Sequence, residues 1–118
     1  MHVATQLPQA TIVLQANPAL QPMVAALLST HARLMGLAGR WVAFEGLSGR
    51  PDADPLAMNG QRLALVTELV AATAEGLAPA SMTPSGPHIR ALHNWAQREM
   101  VRVALRGNEL RTAQSRIQ

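Results

Sequence analysis

Cysteine, lysine and tyrosine are all missing from this 118-residue sequence, and only three residues are aromatic: Trp41, Phe44 and Trp95. Without cysteine there is no disulfide, no thiolate metal site and no cysteine nucleophile. Without lysine there is no Schiff-base chemistry and no P-loop lysine to hold a nucleotide. Charge is scarce too. Asp, Glu, Lys and Arg make up 14% of the chain, against roughly 25% in ordinary soluble domains. Long uninterrupted apolar runs are also absent. Each helix-like segment is broken by Arg, Gln, Glu or Gly before it reaches the run of about 18 that a membrane span needs. Residues 1–9 lack the basic stretch followed by apolar residues that marks a secretory signal.

Hydrophobic residues fill 48% of the sequence. That is enough for a packed core in one domain of this length without metals or disulfides. An apolar chain with so little charge tends to hide surface against a partner, often a copy of itself. All ten basic residues are arginine, which fits coding bias in a GC-rich bacterial or phage genome, and the formal net charge is a modest +3. The expected compartment is the cytoplasm.

Proline sets the punctuation. It suits the first helical position, where its missing N–H would be unpaired anyway. Asn17-Pro18, Asp54-Pro55 and Ser85-Gly86-Pro87 each put a favoured capping residue ahead of such a proline. Pro22 offers a start one turn later for the first segment. The spacing predicts helices over 18–46, 55–77 and 87–114, fraying after Thr112. The two connectors are short, so neighbouring helices should run antiparallel. The expected fold is all-α: a small antiparallel three-helix bundle over 17–118, with dimerisation expected. Residues 1–16 form an N-terminal extended arm. Its stretch 10–14, Ala-Thr-Ile-Val-Leu, is strand-like but has no sheet to join.

The three helices are unequal. The first shows an apolar seam at Leu20, Val24, Leu27, His31, Leu34, Ala38 and Trp41, with Arg33 and Arg40 on its wet face. Gly36 and Gly39 lie inside it, each costing about 1 kcal/mol against alanine. Close approach of another helix there is the expected reason, with a bend as the alternative. In the second, only Gln61, Glu68 and Glu75 form a polar stripe, so this helix should be contacted on two sides, one of them open to a subunit partner. The third carries the seam Ile89, Leu92, Ala96, Met100, Val103, Gly107 and Leu110. Residues 88–118 hold six arginines and two glutamates, so the positive charge concentrates in the third helix.

Two constellations carry candidate chemistry. Trp95, Arg98, Arg102 and Arg106 make a ridge on the third helix. Guanidinium groups so placed can meet acidic side chains or phosphates, and the indole can anchor an interface. His31, Glu45, Asn59 and Arg62 could converge on a polar pocket between the first two helices, for a small ligand or acid–base work. No metal site is expected: His88 and His93 are five apart, not the four of a helical ligand pair. No catalytic constellation and no cofactor motif stand out. Asp52 and Asp54 are too few for a calcium loop, and Asp54 reads as a cap. The leading expectation is an interaction or assembly module that acts by binding. It would self-associate and meet an acidic protein partner, with no membrane contact. Nucleic-acid association through the third helix, and a small-molecule site around His31, are the alternatives.

Overall fold

A computed structural model describes residues 21–117, and all regular structure among them is helical. The helices are α1 (Gln21–Ser48), α2 (Pro55–Ala80) and α3 (Gly86–Ile117). The N-terminal arm and the Asn17-Pro18 start lie outside the described residues. Asp54 caps α2 as its sequence suggests: its carboxylate accepts from Ala57 N at 3.0 Å and its carbonyl from Met58 N at 2.9 Å. The start of α3 works differently. The Ser85 carbonyl accepts from Ile89 N at 3.0 Å, but its buried hydroxyl meets no partner. The turn is tied instead by Gly86 N donating to Thr83 O, and by Thr83 Oγ1 donating to Ala80 O. Helix α3 also runs on to Ile117 rather than fraying after Thr112.

Helix α2 is the middle of the structure. It packs on α1 along one side and on α3 along the other, while α1 and α3 share no comparable interface. Both apolar sides of α2 are therefore met within the chain, and neither requires a subunit partner. This position also accounts for its composition. By length and mean hydropathy (1.3 over its most apolar stretch) α2 could cross a membrane, contrary to the expectation from uninterrupted runs. Here it is sandwiched, and it carries Arg62, Glu68 and Glu75 in ion pairs.

The core combines Leu27, Leu34, Leu37 and Phe44 of α1 with Leu65, Leu69 and Ala72 of α2 and Ile89 and Ala96 of α3. The seam of α1 is rotated from the one its spacing suggests. Thr30, Leu37 and Phe44 are buried, while His31 and Ala38 are half-buried at its flank. Arg33 and Arg40 are not simply solvated either. They pair with Glu75 and Glu68 on α2. Antiparallel helices make this possible, because a seven-residue step on one matches a seven-residue step on the other.

Close helix approach occurs, but not at Gly36 or Gly39. Both are exposed, and a Cβ on either would meet nothing within 4 Å. The tight contact is at Gly76 of α2, where a Cβ would lie 2.7 Å from Thr30 Cγ2. Thr30 is buried and β-branched, so it has little room to turn away. A second close contact sits at Gly107 of α3, where a Cβ would fall 2.8 Å from Asn59 Nδ2.

These glycines separate cleanly in denaturant. Gly36→Ala and Gly39→Ala should each raise stability, by up to about 1 kcal/mol, because alanine costs less backbone entropy in a helix and meets no clash. Gly76→Ala should instead lower it by about 1–3 kcal/mol through overpacking against Thr30. Urea midpoints at unchanged slope measure all three, and a stabilising Gly76→Ala would refute the close packing.

Candidate functional site

Two rows of residues on α2 set the geometry of the site. Asn59, Arg62 and Thr73 bond to α3: Asn59 Nδ2 to Val103 O at 3.1 Å, Arg62 to Glu99, and Thr73 Oγ1 with His93 Nδ1 at 2.8 Å. Glu68, Glu75 and Gly76 meet α1. The two flanking helices meet α2 and make almost no contact with each other. The bundle is therefore open. A groove of about 490 Å³ runs between α1 and α3 over the floor of α2.

The groove is mainly apolar. Leu37, Ala38, Trp41 and Val42 form its α1 wall, Leu92 and Trp95 its α3 wall, and Leu69 part of the floor. Trp41 and Trp95 reach towards each other across it, with ring centroids 6.1 Å apart and planes inclined by 53°. That tilt and distance are in the favourable range for aromatic pairs. Val42 is 70% exposed and Trp95 37% exposed, so the rim is open to solvent. The Arg62 guanidinium lies over the Trp41 ring at 5.1 Å, a cation–π contact. Trp41 Nε1 donates to Glu45 Oε1 at 3.2 Å.

Beneath this rim lies the most constrained charge in the protein. The Glu99 side chain is only 10% exposed. Its Oε1 accepts from Arg62 Nε at 3.0 Å and Nη2 at 2.8 Å, and its Oε2 accepts from Arg102 Nε at 3.0 Å. Arg102 Nη2 also bonds Oε1. The Arg102 hydrogen bonds, joined by those of Arg62, hold the Glu99 carboxyl down at about 2 against the opposing pull of burial. Spacing alone does not single out Glu99, whose only signal in the sequence is a glutamate three residues before Arg102 within an arginine-rich helix.

The predicted residues fall into two groups. Of the pocket set, Glu45 and Arg62 share the groove. Asn59 lies apart, in a cleft of about 150 Å³ with Gly107 and Asn108. His31 is half-buried with its Nδ1 unpartnered and does not line the groove. Arg62 is turned to Glu99 and Trp41, so the four do not converge. Of the ridge, Trp95 lies in the groove wall, Arg102 serves Glu99, and Arg106 pairs with Glu109 at 3.0 Å. Arg98 alone has no ion pair among the described residues. Two of the three ridge arginines are thus already engaged in ion pairs, Arg102 sharing the one Glu99 carboxylate with Arg62, which weakens a phosphate-binding reading. Comparison with known protein families, with characterised proteins and with solved structures found no match to the chain.

The Glu99 site gives a pH signature. Its folded value, about 2, lies below the ordinary 4.5, so its contribution is complete above 4.5 and is lost as pH falls towards 2. At about 1.4 kcal/mol per pH unit, the loss across that window is about 3 kcal/mol. Glu99→Gln should flatten this part of the stability–pH curve, measured by urea unfolding between pH 6 and 2.5. An equally steep loss in the variant would assign it to other carboxylates.

Proposed function

We propose that the protein acts by binding, as an interaction or assembly module. It offers the groove and the adjoining arginine edge of α3 to an acidic helical surface of another protein, and it associates with a copy of itself. The observation that carries this reading is the open, tryptophan-lined groove in an otherwise packed three-helix unit. Tryptophan and arginine are the residues that most often dominate interface energetics, and here they sit side by side. Further apolar side chains stand exposed away from the groove, Val101 and Leu105 on α3. Such side chains support self-association. A catalytic reading has less behind it, because no nucleophile and base share the groove, and His31 stands outside it.

Charge reversal tests the acidic-partner reading, and the structure selects the positions. Arg102 holds Glu99, so reversing it would also damage the fold. Arg98→Glu combined with Arg106→Glu spares that contact. Affinity capture from the native host should lose at least one protein in this variant while its unfolding midpoint stays unchanged. A capture profile identical to the parent would remove the role of the arginine edge. Nucleic-acid binding would show itself as affinity falling steeply and linearly with log salt. Light scattering after size exclusion should find a mass above that of the 12.6 kDa chain. A clean monomer at micromolar concentration would remove self-association.

A further inference from the structure

We infer that the groove is the vacant fourth position of a four-helix arrangement, and that its occupant is a single amphipathic helix with an acidic edge, supplied by another protein. The inference rests on the binding role proposed above and adds the shape and charge of the partner. Three features of the chain point to it. First, α1 and α3 both pack on α2 but not extensively on each other, which leaves the position opposite α2 open. Bundles of that kind are completed by a helix placed opposite the middle one.

Second, the surface left open has the dimensions of a helix seat. Met35, Ala38, Val42 and Glu45 descend the exposed shoulder of α1 in steps of three and four, so they form one continuous edge. Leu28 extends that edge by two turns. From Leu28 to Glu45 it covers about 26 Å at 1.5 Å per residue, the length of a helix of about 18 residues. Apolar anchors entering such a groove at helical spacing are a recurrent mode of recognition.

Third, charge tells the two edges apart. On the α3 side stand Arg98, unpaired among the described residues, and Arg102, whose side chain is 61% exposed although it bonds Glu99. On the α1 side stands Glu45. An occupant with glutamates along one edge and neutral or basic residues along the other matches this asymmetry. The opposite arrangement would set like charges together, which costs affinity and slows association. Charge therefore selects both the partner and its direction in the groove.

The chain contains its own reporter, because its only two tryptophans both line the groove. The test uses the full chain and two synthetic 18-residue amphipathic helices with one leucine–alanine seam. One carries glutamates along the edge that would face α3, and the other carries lysines there. The acidic peptide should shift tryptophan emission to shorter wavelength and saturate at one peptide per chain. The lysine peptide should bind at least about tenfold more weakly, and Arg98→Glu should reduce or invert that preference. Arg98 is exposed, so an unchanged unfolding midpoint will confirm that the variant is folded. Equal responses to the two peptides, or none to either, would overturn the inference. So would emission that changes with protein concentration alone, which would make a second copy the occupant. A shift in peptide-free protein on Ile12→Asp with Leu14→Asp would overturn it as well, because the chain's own N-terminal segment would then fill the groove. If capture of an acidic partner is lost in Arg98→Glu with Arg106→Glu while neither peptide moves the emission, the groove assignment falls and the binding role stands.

Discussion

Burying a carboxylate between two helices costs several kcal/mol unless cations meet it with good geometry. Glu99 is buried in this way, and the groove wall is built around meeting its charge. Arg102 reaches it from the same helix and Arg62 from α2. Because Arg62 is held there, its guanidinium plane can lie over Trp41 of α1, and Trp41 can tilt against Trp95 of α3. A single acid thus links all three helices through one chain of contacts. It does so where α1 and α3 have no packed interface of their own. Removing the acid would free two arginines into solvent, which they tolerate. Removing Arg62 would leave the buried anion to Arg102 alone and take away the cation over the indole. The arrangement is therefore asymmetric: only the arginine on α2 ties Glu99 to both other helices.

Much of the architecture was legible in the sequence because proline and its capping residues act locally. Asp54-Pro55 needs only its own first turn to work, and the structure shows it working. The apolar seam of α3 was also readable, with Ile89, Ala96 and Val103 buried as the spacing suggests. Pairwise matters between helices were not. Gly36 and Gly76 look alike in sequence, yet only Gly76 meets a neighbouring helix closely, at the Thr30 side chain, because the choice depends on how α1 rotates against α2. That rotation places Thr30 and Leu37 in the core and moves His31 to the flank. The expected pocket around His31 dispersed for the same reason.

The ridge shows the same limit from the electrostatic side. Spacing placed Trp95, Arg98, Arg102 and Arg106 on one side of α3, and the structure keeps them there. What spacing could not supply was the state of each charge. Glu109 offsets Arg106 locally, and Glu99 engages Arg102 while sharing its charge with Arg62. A count of six arginines overstates the free positive charge of α3, and Arg98 is the position where the excess is unshared among ridge residues.

Register is the remaining constraint. The packed faces of α1 and α2 carry Leu27, Leu34, Leu37 and Phe44 against Leu65, Leu69 and Ala72. Apolar contacts are non-directional and do not by themselves resist a shift of register. Between α1 and α2 the resistance comes from two devices seven residues apart: Arg33 with Glu75, and Arg40 with Glu68. Each pair is exposed, and such pairs add little stability. Their value is positional. A shift by one turn would break both at once and carry Thr30 away from the space that Gly76 leaves for it. The Thr30–Gly76 contact admits only one alignment, and the ion pairs agree with it. With α1 fixed in that way, Trp41 arrives opposite Trp95. The groove therefore inherits its shape from contacts between α1 and α2 made by residues that do not line it.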